Sequence, residues 1–457
     1  MSAVAPVDLP EDPRERIAWI LDRVREHDLD GLASVLGELH PSDLADVVEE
    51  LDEDDRIFLL DLLPADLASE TLAEMESEEH PEEILAALEP ERIGELIAEL
   101  SDDDAVELIR ELPPEEQTRV LAALPNLEAG ELRRLLQYDE ESAGGIMTTE
   151  LVAVSVHLTA GEAIEEVRRQ AREIGGEFYT IFVVDLLRRL VGTVSIQDLV
   201  LAEPRTPLAD LVEEPVAAVP VDMDQEEVGR IIARYNLPSV PVVGPDDVLL
   251  GRITWDDVID VMELEQTEDI LRLGGVVSEE EVRGGWLDAV RSRLPWLLLN
   301  LGTAAVAASV VWYFQDTIDR LVLLAAIMPV IAGMGGNAGT QALAVTVRRL
   351  ALTEETTARR FRVAAKELVV GVVNGLALGA IAAVASALVG GDPTLGLVVF
   401  LAMIGNLVLA SIAGALIPII LERLGADPAV ASSIFVTTFT DVGGFFLLLG
   451  LASALLL

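Results

Sequence analysis

The chain has 457 residues, 51% of them hydrophobic, with a formal net charge of −49 and no cysteine. That length leaves room for several domains, and the missing cysteines argue against a disulfide framework or a thiolate metal site. Such acidity argues against nucleic acid as a partner, because phosphate contacts need Lys and Arg; it suits cations instead.

The charge is unevenly divided. Residues 1–283 carry 70 acidic and 21 basic side chains, whereas residues 284–457 carry ten of each. An acidic soluble part followed by a neutral membrane part is the expected organisation. The opening "MSAVAPVDLPEDPRER" has no basic head or apolar core, so it does not read as a signal peptide. A solvated, self-repelling surface and adaptation to high salt are open readings of the acidity, beside cation binding.

Residues 1–138 are expected to form an acidic all-α domain. "HPSDLADVVEEL", "DEDDRIFLLDLL", "EPERIGELIAEL" and "SDDDAVELIREL" repeat with a period of about twelve. After an initial His in the first, each unit opens on Pro, Ser or an acid, residues that suit helix N-termini, and ends on apolar residues at helical spacing. Short amphipathic helices of this kind bury their stripes by stacking into a superhelix.

Between residues 139 and 262 the pattern changes to β–α–β–β–α, twice. Short β-branched runs such as "FYTIFVV" and "SVPVV" alternate with helical segments. Gly192-Thr-Val-Ser195-x-x-Asp198 and Gly251-Arg-Ile-Thr254-x-x-Asp257 close the two copies. These strand-to-helix elements resemble a CBS-domain pair, with 139–202 as the first domain and 203–262 as the second. The first copy departs from type at Leu186 and Leu187, where a polar turn is usual. Residues 263–283 then form an acidic connecting helix, and 284–457 a transmembrane domain.

Five apolar segments, at about 294–314, 321–347, 364–390, 395–421 and 428–456, are each long enough to cross a bilayer. Arg291 and Arg293 precede the first; Arg348, Arg349, Arg359, Arg360, Arg362 and Lys366 separate the second from the third; Arg423 follows the fourth. "QDTIDR" and "GGDPT", read as the opposite loops, hold only Arg320. The positive-inside rule puts the soluble part in the cytoplasm and the C-terminus outside.

Three features of the membrane part carry chemistry. The second span contains Pro329, Gly333, Gly335, Gly336, Asn337, Gly339, Thr340 and Gln341. The glycines alone suit close helix packing, but Asn337 and Gln341 at i and i+4 point to a pore-lining face. In the last span Asp441 shares a face with Thr437. A carboxylate at a membrane-helix centre costs about 2.5–3.5 kcal/mol and usually faces a partner or a water-filled path. No basic partner is evident within the spans, so Asp441, with Asn337, Gly336 and Thr437, is the candidate pore metal site. The third feature is Asp427 at the mouth of the last span with Glu265, Glu268 and Asp269 of the connecting helix, a candidate regulatory cation site that also takes in Asp257 and Asp260. Asn300, Asn374 and Asn406 are left as interhelical hydrogen-bonding groups.

The order of parts, with Pro-x3-Gly-x-Gly-Gly-Asn-x-Gly-x-Gln and the buried Asp441, resembles the MgtE family of magnesium transporters over nearly the whole chain. The motif departs at Thr340, where that family often carries Asn. The resemblance implies a homodimeric Mg2+ channel in the cell membrane, closed by Mg2+ bound to its cytosolic domains. It also implies ATP at the CBS pair, with Asp198 as the candidate ribose ligand. The alternative is an ion-coupled secondary transporter of divalent cations in which Asp441 titrates. A membrane-anchored nucleotide sensor would leave Asp441 and the glycine motif without a purpose. An enzyme is not expected: there is no phosphate loop, no His pair, and only four His in all.

Overall fold

The structure, a computed structural model, describes residues 13–25, 32, 36–75, 79–172, 174, 178–274, 276, 286–352, 357–424 and 432–457. It divides into two compact units, residues 1–263 and 264–457.

In the first unit the twelve-residue period becomes a row of short helices. After α1 (Pro13–Arg25) come α2 (Pro41–Glu49), α3 (Glu53–Leu62), α4 (Ala65–Ala73), α5 (Pro81–Ala87), α6 (Pro90–Ile97), α7 (Asp102–Glu111), α8 (Pro114–Ala123) and α9 (Asn126–Leu135). Their starts follow from capping. Asp52 accepts from the Asp55 N–H, Ser101 accepts from the Asp104 N–H, and Pro stands in the first turn of α2, α5, α6 and α8. Each helix packs mainly on the next but one: α2, α4, α6 and α8 form one row, and α3, α5, α7 and α9 the other. The stripe between the rows is Leu44, Leu59, Leu72, Leu85, Ile93 and Ile109, all buried.

The two β–α–β–β–α copies are near-duplicates. The first has β1 (Ala153–Ser155), α10 (Ala160–Gln170), β2 (Thr180–Val184), β3 (Leu190–Ser195) and α11 (Ile196–Leu201). The second has β4 (Val219–Pro220), α12 (Gln225–Tyr235), β5 (Ser239–Val243), β6 (Leu249–Thr254) and α13 (Trp255–Gly274). In each sheet the middle strand pairs parallel with the first and antiparallel with the third, with Thr180 opposite Ser195 and Ser239 opposite Thr254. The Ser239 hydroxyl donates to Thr180 Oγ1 at 3.2 Å, joining equivalent positions of the two copies. The helical rows share a continuous core with the second copy, through Ala143, Met147, Val219, Val240 and Ile253. The Leu186–Leu187 turn of the first copy is exposed.

Among its described residues the second unit contains five helices long and apolar enough to cross a membrane. They are α14 (Trp286–Tyr313), α16 (Leu323–Leu352), α17 (Thr357–Gly390), α18 (Pro393–Arg423) and α19 (Ser432–Leu455). The segment "QDTIDR", expected as a loop, forms a short helix, α15 (Gln315–Arg320). Helix α18 is central and packs on α16, α17 and α19, whereas α14 packs chiefly on α19. Gly371, Gly375 and Gly379 of α17 lie against Leu407, Ile404 and Phe400 of α18, a small-xxx-small seam absent from the sequence reading.

Candidate functional site

Asp441 sits nearly midway along α19. It lines a groove of about 670 Å³ with Ala304, Ala307, Val311, Trp312, Gln315 and Phe445. The wall is apolar because α14 presents alanines at helical spacing, leaving the carboxylate as the groove's single acid. The described residues form no ion pair with it. Thr437, one turn earlier, donates its hydroxyl to the Ser433 carbonyl at 2.9 Å, which leaves its oxygen lone pairs as acceptors.

The glycine motif of α16 divides by role. Gly335 and Gly339 face the interior: a Cβ on Gly335 would overlap Asn406 Nδ2, and one on Gly339 would overlap Val436 of α19. Gly333 and Gly336 have open space in front of them, and Asn337, Thr340 and Gln341 are exposed on the helix surface, as is Pro329. The packing and pore-lining readings of the motif are therefore compatible, on different faces of one helix. The groove holding Asp441 contains neither Asn337 nor Gly336.

One membrane-unit group escaped the sequence reading. Glu367 is a second carboxylate within a span, Arg362–Gly390, with its side chain 7% exposed and Lys366 Nζ 3.5 Å away. Asp441 is thus not the lone acid of the spans, although Glu367 has a cationic neighbour. Asn406 of α18, expected as an interhelical hydrogen-bonding group, is fully buried and donates to the Ile331 carbonyl of α16.

The soluble unit presents the opposite arrangement. Asp103 and Asp104 in the first turn of α7 lie near Asp256, Asp257 and Asp260 at the start of α13, with Asp102, Glu74, Glu107 and Glu150 around them. Burial, then Asp257 and Asp104, push Asp103 well above the usual carboxylate range. Asp104 rises from 3.8 to about 6 through burial, with Asp257, Glu74 and Asp256 adding to it and the Ser101 hydroxyl opposing. Desolvation and then Asp104 and Asp260 take Glu107 from 4.5 to about 7; desolvation and Asp102 take Glu150 to about 7. Asp257 and Asp260 are raised as well, chiefly by desolvation. Two helix N-termini partly offset this repulsion through their dipoles. No three His, Asp or Glu side chains among the described residues are spaced to hold a metal ion directly.

Of the remaining sequence candidates, Glu268 is engaged with Arg272 four residues on in α13. Glu265 and Asp269 lie on the same helix, while Asp427 falls outside the described residues. Asp198 accepts from the Ser195 hydroxyl at 2.5 Å, and Asp257 from the Thr254 N–H at 3.0 Å, so both acids serve capping interactions at helix starts. A cavity on the first CBS fold is lined by Thr159, Glu162, Glu165, Glu166 and Arg169, and excludes Asp198.

Comparison with known proteins agrees along the chain. A family model described as MgtE, divalent cation transporter, matches residues 328–451. The MgtE intracellular N domain matches 39–141, and CBS domains match 143–205 and 208–264. The chain is 38% identical to a protein named magnesium transporter MgtE from Enterococcus faecalis, covering 97% of this chain and 98% of that one. It is 37% identical to the protein of that name from Thermus thermophilus, covering 97% and 99%. A crystal structure of the cytosolic domain of the Mg2+ channel MgtE with ATP superposes with a TM-score of 0.51 at 38% identity, covering 54% of this chain and 99% of that one. The soluble part of a magnesium transporter gives 0.51 at 33%, covering 56% and 99%.

Proposed function

Since the chain belongs to the MgtE family of divalent cation transporters, we propose that it conducts Mg2+ across the cell membrane and is closed by cytosolic Mg2+. The observation that carries the reading is Asp441, a carboxylate with no ion-pair partner among the described residues, in a groove otherwise lined by apolar side chains and Gln315. Mg2+ holds its waters tightly and tolerates only near-octahedral oxygen geometry. A path for the hydrated ion therefore needs a carboxylate that reaches the water shell, not a cage of direct ligands. The ion in turn offsets the cost of a charge at that depth, about 2.5–3.5 kcal/mol. Thr437, on the same face, supplies a neutral acceptor for those waters. In a homodimer two Asp441 side chains would share the ion across the axis. The arginine-rich loops support a cytoplasmic soluble unit and an external C-terminus.

Closure by Mg2+ rests on the acids of α7 and α13. Like charges near a protein surface repel by about 4 kcal/mol at 4 Å, so the close arrangement is unfavourable until cations neutralise it. A divalent ion that binds the close arrangement more tightly than the open one shifts the population toward it. ATP is a second cytosolic ligand in this reading, supported by the ATP complex of the related cytosolic domain. Asp198 keeps its place on the exposed strand-to-helix element as the ribose candidate.

The transport claim is tested by Mg2+ uptake into liposomes containing the full chain or Asp441→Asn. Uptake that is nearly abolished in a correctly inserted variant supports it; unchanged uptake moves the ion path elsewhere.

A further inference from the structure

The geometry around Asn406 points to an additional positioning residue: we infer that this amide pins the glycine-motif helix α16 to the Asp441-bearing helix α19 and so sets where Asp441 stands. The inference rests on the transport reading above. Asn406 belongs to α18 and is 0% exposed within the membrane unit. Its Nδ2 donates to the Ile331 carbonyl of α16 at 2.8 Å, a bond between two different helices.

The amide is also wedged between two glycines. A Cβ on Gly335 would overlap Nδ2, and one on Gly444 of α19 would lie 2.8 Å from it. Gly335 lies four residues after Ile331, and Gly444 three after Asp441. The amide therefore holds α16 between Pro329 and Asn337 and contacts α19 one turn from the carboxylate. Both backbones approach because neither glycine carries a side chain, and one polar group fills the space.

Packing alone does not account for asparagine here. The Asn406 Oδ1 atom is buried without a hydrogen-bond partner among the described residues, a cost that leucine at similar volume would avoid. Turning the amide over would only bring Oδ1 against the Ile331 carbonyl, oxygen to oxygen. What asparagine supplies and leucine does not is the directed bond that fixes α16, and through the shared slot α19.

The test uses the full chain in liposomes, with Asn406→Leu, which fills the slot without the donor, and Asn406→Ala, which empties it. Both are expected to insert and elute as the unmodified protein does while Mg2+ uptake falls about tenfold, the scale of one lost buried hydrogen bond. A second readout does not depend on transport. The chain has no cysteine, so Asp441→Cys offers a single thiol whose reaction rate with a small water-soluble thiosulfonate reports the position of residue 441. That rate should change at least about fivefold when either Asn406 substitution is added, the scale of about 1 kcal/mol. Gly335→Ala should fail to assemble, and adding Asn406→Ala should restore assembly without restoring uptake. Unmodified uptake and thiol reactivity in Asn406→Leu would reduce Asn406 to packing and overturn the inference. Failure of both Asn406 substitutions to assemble, with no recovery in the Gly335→Ala pair, would overturn it too. If Asp441→Asn keeps full uptake the transport reading falls, and the thiol rate still decides whether Asn406 positions α19.

Discussion

Carboxylates are crowded where α7 meets α13 and sparse within the spans, and in the proposed transport reading the difference separates two ways of using a cation. Around α7 and α13, desolvation raises the pKa values of Asp103, Asp104, Glu107, Asp257 and Asp260, and neighbouring carboxylates add to it. In that reading many weakly binding acids would respond to ion concentration, because several ions could bind over a range and each would relieve repulsion. Asp441 stands in an apolar groove with Gln315 as its polar companion there. One acid cannot integrate a concentration, but it can select and pass one ion at a time. Crowding suits sensing, and isolation suits permeation.

The comparison breaks most sharply at Asp441. Asp441→Asn should lower Mg2+ uptake roughly a hundredfold, the factor to which about 2.5–3.5 kcal/mol corresponds. Its soluble unit should still respond to Mg2+ in protease protection. Loss of both properties together would mean that the two sets of acids are one site.

Neutralising Asp103 and Asp257 together should do the reverse. Repulsion across the two helix starts would fall, so the soluble unit should gain about 1–2 kcal/mol in divalent-free buffer and lose most of its further stabilisation by Mg2+. Thermal melting with and without Mg2+ measures both. A melting temperature that rises with Mg2+ as in the unmodified chain would leave these acids outside the cation response.

Protons should imitate the cation. Asp104 is raised from 3.8 to about 6, and Glu107 and Glu150 from 4.5 to about 7. The folded arrangement therefore binds more protons than the unfolded chain between about pH 4 and 7, and stability falls as pH rises through that window. In divalent-free buffer the soluble unit should melt several degrees higher at pH 5.5 than at pH 7.5, at about 2–4 °C per kcal/mol. Saturating Mg2+ should flatten the dependence. A higher melting temperature at pH 7.5 without divalent ions would contradict the repulsion.

The smallest effect is expected at Glu268. Its carboxylate is engaged by Arg272 within α13, and pairs of this kind contribute about 0.2–0.5 kcal/mol. Glu268→Gln should shift the Mg2+ concentration for half-maximal closure by no more than about twofold. A larger shift would restore it to the sensor.

How far these features were legible depends on the range of the signal. The helical rows were legible because each turn of the repeat carries its own start, as Asp52 and Ser101 show by capping α3 and α7. The CBS folds were legible because Gly192 to Asp198 and Gly251 to Asp257 announce the same element twice. Asp441 stood out because charge is rare in an apolar run. Asp103 and Asp104 did not: they are two acids among 70 in the first 283 residues, and their meeting with Asp257 is made by tertiary packing. The sequence suggested that the glycine motif both packs and lines, without separating Gly335 and Gly339 from Gly333 and Gly336. That division follows from which face of α16 meets α18 and α19. Asn406 looked like Asn300 and Asn374, since nothing local marks a residue whose neighbours lie on two other helices.

The division of labour is tested most directly by recording Mg2+ currents from patches containing the full chain with Asp103→Asn and Asp257→Asn together, with Mg2+ on the face of the soluble unit stepped from about ten micromolar to about ten millimolar. This range spans the millimolar concentrations at which weak carboxylate sites fill. Sensing by the crowded acids predicts currents that are already reduced at low Mg2+ and insensitive to the step, because the neutral pair removes the repulsion that holds the unmodified chain open until Mg2+ arrives. Currents that shut off as completely as in the unmodified chain would contradict it.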